Sequence, residues 1–118
     1  MRILVIDDHP DVALVVAEIL ESEGHQTLVA GSGEEGLQAI EQSLPDAVFL
    51  DVVMPGLDGI EVLRRIRAKR PHLPVILLSG TVTATQIETA RELGVTDVLQ
   101  KPAPLTQFAE ALARVRPD

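Results

Sequence analysis

Three short runs, Ile3 to Ile6, Ala47 to Leu50 and Val75 to Leu78, contain no polar residue. The first, with Arg2 before it, is rich in β-branched residues and predicts a strand buried on both faces over Arg2 to Ile6. The other two predict strands ending at Asp51 and at Ser79-Gly80. Between such runs the pattern changes to helical spacing. Val12, Val15, Val16, Ile19 and Leu20 recur at that spacing. Pro10 suits the first turn of this helix, Asp11 favours its N-terminus, and Gly24 ends it. Gln26 to Ala30 reads as a second strand. Ser32 is a candidate cap for a helix through Ser43, with Leu37, Ile40 and Leu44 on its buried side and Pro45-Asp46 breaking it. Asp58 opens a third helix, with Ile60, Leu63 and Ile66 inward and Arg64, Arg65, Arg67, Lys69 and Arg70 outward. Thr83 to Leu93 predicts a weaker helix with only Ile87, Ala90 and Leu93 on an apolar side, and Gly94 caps it. Asp97 to Gln100 is the last strand. Leu105, Phe108, Leu112 and Val115 mark a final helix.

Five strands alternating with five helices predict an α/β fold, a mostly parallel, doubly wound sheet. With 118 residues and no linker-like stretch, one domain over 1–118 is expected. Ligands in such folds bind outside the carboxyl ends of the strands, at a topological switch point. Asp7-Asp8, Asp51, Ser79 and Lys101 all follow or close predicted strands, so the fold would bring them to one edge.

Composition narrows the possibilities. Hydrophobic residues make up 46% of the chain but aromatics only 2%, so Val, Leu, Ile and Ala must build the core. Without Trp or Tyr the chain lacks base-stacking platforms. The net charge of -8 argues against direct nucleic-acid binding, which needs a basic footprint. No cysteine is present, which excludes disulfides and thiolate metal sites. No apolar run approaches the roughly 20 residues that span a membrane, and Asp7-Asp8 cuts short any signal-peptide core. A cytoplasmic protein is the simplest expectation.

The strand-end residues suggest a chemistry. Asp7, Asp8 and Asp51 offer only oxygen ligands, which suit a hard cation, Mg²⁺ above all. His9 reads as a solvent-exposed residue at a helix start rather than a ligand. A carboxylate such as Asp51 can act as a nucleophile and form an aspartyl phosphate. Such transfer needs charge neutralisation on the phosphoryl oxygens, which Mg²⁺, the Lys101 ammonium and the Ser79 hydroxyl could share.

These residues resemble the response-regulator receiver domain of two-component signalling. The resemblance rests on Asp7-Asp8, on the run D-V-V-M-P-G-L-D-G from Asp51, on Ser79 closing V-I-L-L-S-G, and on Lys101-Pro102. It covers essentially the whole chain. It implies a flavodoxin-like sheet of order 2-1-3-4-5 and, position by position, a set of roles. Asp51 is similar to the phosphoacceptor, served by a phosphohistidine on a sensor histidine kinase or histidine phosphotransfer protein. Asp8, Asp51 and the Val53 backbone carbonyl look like Mg²⁺ ligands, with Asp7 a ligand directly or through water. Ser79 resembles the switch hydroxyl and Lys101 the lysine that pairs with the phosphoryl group. The Lys101-Pro102 bond is expected to be cis. The fourth helix, fifth strand and fifth helix correspond to the usual output face, toward a partner or domain that the sequence does not name.

The chain departs from the family pattern at Val98, where an aromatic residue is common, and at Ala103 after the Lys-Pro pair. Val53 and Thr81 flank the acceptor where the family tunes phosphoryl lifetime. Val53 offers no polar side chain to orient an attacking water, which implies a long-lived phosphoaspartate. The resulting expectation is a phosphorylation-controlled switch that catalyses only its own phosphorylation and dephosphorylation. A phosphorelay intermediate or phosphate sink would use the same site with different partners. A Mg²⁺-dependent phosphohydrolase would need a second acid/base carboxylate just after the nucleophile, and Val52 and Val53 stand there instead.

Overall fold

The computed structural model of the chain describes residues 1–52, 58–79, 83–100, 110–111 and 113–114, with backbone only at Ser79 and Gln100. In chain order the elements are β1 (Arg2–Ile6), α1 (Pro10–Ser22), β2 (Gln26–Ala30), α2 (Gly33–Ser43), β3 (Ala47–Asp51), α3 (Gly59–Lys69), β4 (Val75–Ser79), α4 (Ala84–Glu92) and β5 (Asp97–Gln100). All neighbouring strands pair in parallel, in the order β2-β1-β3-β4-β5. The expected α/β sheet is therefore present, with four helices among the described residues. Glu110, Ala111, Ala113 and Arg114 are also helical, and Arg114 pairs with Asp97 at the start of β5. Leu105, Phe108, Leu112 and Val115 of the expected fifth helix lie outside the described residues.

Side chains on a strand alternate between faces, and the uninterrupted apolar runs feed two cores at once. Ile3, Val5, Phe49 and Ile76 pack with Ala13, Val16 and Leu20 of α1 on one face. Leu4, Ile6, Val48, Leu50 and Leu77 pack with Leu63 and Ile66 of α3 and Ala90 of α4 on the other. Fully burying one such side chain stabilises by about 1.5–3 kcal/mol. Phe49, the largest of them, has no exposed surface. The edge strand β2 is different: Leu28 and Val29 are exposed, because it has a neighbour on one side only.

Local signals act where expected at most helix starts. Ser32 Oγ accepts from the Glu35 N–H at 3.1 Å, and Asp58 Oδ1 accepts from the Glu61 N–H at 2.9 Å. Thr83 and Gln86 form a reciprocal capping box on α4, which offsets the weak apolar stripe of that helix.

Three side chains depart from the periodic reading. Val15 is 55% exposed, and Ala13 and Ala17 complete the buried stripe of α1 in its place. Leu44 is 59% exposed rather than buried. Helix α2 ends at Ser43, and Leu44 takes a left-handed φ of 48°, which turns it off the helical stripe. Arg67 does not point outward with the other cations. Its Nε donates to the Leu93 carbonyl (2.5 Å), Nη1 to the carbonyls of Arg70 (3.1 Å) and Leu73 (2.6 Å), and Nη2 to that of Gly94 (3.0 Å). These acceptors include carbonyls that the end of α4 leaves unpaired. Burial pushes the guanidinium below its usual range, yet arginine stays charged in proteins.

Candidate phosphoacceptor and metal site

Two strand ends build the site. Asp7 follows β1 and Asp51 closes β3, and these strands are neighbours paired Ile6 to Leu50. Asp7 lies two residues after Val5, and Asp51 two after Phe49, so both carboxylates continue the α1 side of the sheet. The backbone is fastened on each side. The Asp7 N–H donates to Ala30 O (3.0 Å), and the Val52 N–H to Leu78 O (3.3 Å).

Asp7 and Asp51 are 3% and 4% exposed, and Asp8 is largely covered. Ligand atoms of Asp7, Asp8, His9 and Asp51 all lie within 4.8 Å of one another. At an effective dielectric of about 20, two charges at that separation interact by about 3 kcal/mol, so the carboxylates strongly favour a positive charge among them. His9 supplies a donor there. Its Nδ1 is 3.2 Å from Asp7 Oδ1, 3.1 Å from Asp8 Oδ1 and 3.9 Å from Asp51 Oδ2, and its N–H donates to Asp7 Oδ1 at 2.9 Å. His9 is exposed, as the sequence suggests, yet its ring reaches into the cluster. Its place directly after Asp7-Asp8 was the signal for this contact.

Asp8 Oδ1 is buried, with the His9 ring 3.1 Å away but not aligned to donate a hydrogen bond to it. A buried carboxylate oxygen left in this way, beside two further carboxylates, fits a hard divalent cation such as Mg²⁺. Asp7, Asp8 and Asp51 are the side chains that would hold it. A consequence is that function and stability oppose each other at Asp8. Asp8→Asn removes one like charge, and because Asp8 is partly solvated the gain is about 1 kcal/mol. Thermal melts in EDTA are expected to rise by about 3–6 °C, whereas the further rise on adding Mg²⁺ is expected to shrink strongly. A lower melting temperature in EDTA with an undiminished Mg²⁺ response would contradict this account.

Ser79 closes β4 one residue beyond Leu78, the register partner of Asp51, and pairs with Gln100 of β5. The backbone thus brings Ser79 to the same sheet edge. Val53, Thr81, Lys101, Pro102 and Ala103 lie outside the described residues, so the expectations on them, including the cis Lys101-Pro102 bond, have no structural counterpart here. Val98 is partly buried against the α2–α3–α4 core.

Residues 3–113 match the family model of the response regulator receiver domain. The chain belongs to this family. Receiver domains are not a classical enzyme family. This receiver domain is 36% identical over 116 residues to the DNA-binding response regulator MtrA of Mycolicibacterium smegmatis, covering 98% of the chain and 50% of MtrA. It thus spans about half the length of that relative. It is 30% identical to sporulation initiation phosphotransferase F of Bacillus subtilis, covering 98% of the chain and 94% of that protein. Among solved structures, the receiver domain of NtrX from Brucella abortus is similar with a TM-score of 0.89 and 36% identity, covering 96% of each chain. Chemotaxis protein CheY4 of Vibrio cholerae, at 24% identity and a TM-score of 0.90, shares the fold, covering 98% of each chain. No helix among the described residues is long and apolar enough to cross a membrane.

Proposed function

We propose that residues 1–118 act as one receiver domain in which Asp51 accepts a phosphoryl group from the phosphohistidine of a sensor kinase or phosphotransfer protein. The observation that carries this reading is the convergence of Asp7, Asp8 and Asp51 at adjacent strand ends, two of them nearly fully buried. A carboxylate oxygen of Asp51 forms the new bond to phosphorus as the phosphorus–nitrogen bond to the imidazole breaks. The freed imidazole nitrogen keeps the electron pair and takes a proton from solvent. Asp7, Asp8, Asp51 and the Val53 carbonyl would hold Mg²⁺, which would neutralise charge on the carboxylates and the phosphoryl oxygens. Ser79 and Lys101 would meet the remaining phosphoryl oxygens. The added charge of roughly -1.5 to -2 then biases the loop after Ser79 and helix α4 between two arrangements and changes what the domain binds. On this reading the chain works in the cytoplasm, where ATP charges the histidine.

The test is incubation with acetyl phosphate and Mg²⁺, followed by borohydride, which reduces an aspartyl phosphate to homoserine. Homoserine at position 51 is the expected result. Its appearance at another position, or none at all, would overturn the assignment.

The coverage of nearly the whole length of a phosphotransferase supports a second reading, a relay that passes the phosphoryl group on to another histidine. Phosphoryl lifetime bears on both. Val53 brings no polar side chain toward an attacking water, so the phosphoaspartate should be long-lived. Val53→Asn is expected to hydrolyse severalfold faster than wild type after acetyl phosphate loading. Equal rates would remove Val53 as the cause.

A further inference from the structure

Charge is distributed unevenly over this chain. It carries a net -8, yet five of its ten cationic side chains fall between Arg64 and Arg70, with Glu61 the only acid on that helix. Beside them, α2 and α3 flank a groove of about 400 Å³. Leu37, Ile40, Ile66 and Ala68 line its apolar part, and Arg65, Lys69 and Arg70 stand along it. Glu41 is the one acid in the lining, at the long limit of pairing with both Lys69 (3.8 Å) and Arg70 (3.9 Å), and Arg65 pairs with Glu61 just outside it (3.2 Å). Three cations against two carboxylates leave the rim net positive, over a base where Leu37 and Ala68 are the accessible apolar residues and Ile40 and Ile66 lie nearly buried beneath.

We propose that this groove docks an acidic amphipathic helix of a partner protein. A concave apolar strip between two helices accepts side chains repeating at i, i+3/i+4 and i+7. Carboxylates flanking those anchors would meet Arg65, Lys69 and Arg70. A nucleic acid is disfavoured by the overall charge and the lack of stacking aromatics. A flat anionic membrane fits a concave groove holding Glu41 poorly. The groove uses the C-terminal halves of α2 and α3. In a parallel α/β sheet these point toward the end of the strands opposite Asp51, so an occupant would leave the acidic cluster open. The proposal is independent of the phosphoacceptor reading.

The chain lacks Trp and Tyr, so a Trp-labelled peptide reports binding without background. The probe is a synthetic peptide of about 16 residues, above the length at which helices are marginal in water, with Leu at i, i+4 and i+7 and Glu beside them. The full chain should bind it, with amide NMR shifts centred on residues 37–41 and 65–70. Lys69→Glu combined with Arg70→Glu, and separately Ala68→Glu, should each weaken binding about tenfold or more, a loss of about 1.4 kcal/mol. Arg91→Glu, outside the groove, should leave it unchanged, and circular dichroism should show all variants folded. Several outcomes would overturn the proposal: no binding to wild type, equal binding of a scramble with dispersed Leu, shifts centred elsewhere, or insensitivity to the groove variants. Binding of phosphatidylserine vesicles in place of the peptide, or groove-dependent self-association in sedimentation, would assign the groove to a membrane or a second copy and overturn it as well.

Discussion

Asp51→Asn is expected to reduce Mg²⁺-dependent labelling by acetyl phosphate below detection while leaving the fold intact. An asparagine amide has nearly the shape of the carboxylate but lacks its charge and nucleophilic oxygen. Asp51 is 4% exposed and lies against Asp7, Asp8 and His9. The substitution thus removes a charge from a crowded cluster without creating a cavity. Loss of label accompanied by a collapsed circular dichroism spectrum would indicate misfolding rather than a missing acceptor, so both must be measured. Undiminished labelling of a folded Asp51→Asn would move the acceptor elsewhere.

Gly59→Ala is expected to destabilise the fold by about 2–4 kcal/mol, at or above the usual range for overpacking, and to slow labelling at Asp51 about a hundredfold. Gly59 opens α3, and its N–H donates to Val52 O at 2.9 Å. A Cβ at Gly59 would sit 2.4 Å from Asp51 O and 2.5 Å from Val52 Cα. Both are backbone atoms, so no rotamer change relieves the clash. Either the first turn of α3 or the end of β3 must shift, and the second carries Asp51 with it. Gly31→Ala is the control. Its Cβ would meet only the Glu35 carboxylate at 3.6 Å, and it should melt within about 0.5 kcal/mol of wild type. A Gly59→Ala variant as stable and as readily labelled as wild type would show that this contact does not position Asp51.

These two residues illustrate what was legible in the sequence. Asp51 was visible because a strand buried on both faces must be nearly all apolar, so an acid at its end stands out. The same reasoning located β1, β3, β4 and the carboxylate cluster. Gly59 was visible as the last residue of the run that begins at Asp51, whereas its role is the close approach of two backbones, which depends on how α3 meets β3. Leu44 and Arg67 were misplaced for related reasons. Periodicity assumes a helix continues, whereas Leu44 leaves it through a left-handed φ. A long cationic side chain is ordinarily solvated, whereas Arg67 finds carbonyls 26 and 27 residues away. Adjacency to Asp7-Asp8 hinted at the contact of His9, but the rotamer that brings its ring to the carboxylates is set by the fold.

The Arg67 contacts also set the mechanics of α4. Its C-terminal end is held by a guanidinium on α3, whereas at its N-terminal end the securing contacts among the described residues are those of the local pair Thr83 and Gln86. An element fixed at one end swings rather than slides. Helix α4 has nine residues, a length of about 13 Å, so a tilt of about 10° carries its free end about 2 Å. Amide exchange should accordingly be slower at Val95, whose N–H donates to Ala90 O beside the fixed end, than at Ile87, whose N–H donates to Thr83 O. In that sense α4 is a lever with its fulcrum at Arg67 and its longest throw at Ala84, a few residues beyond Ser79.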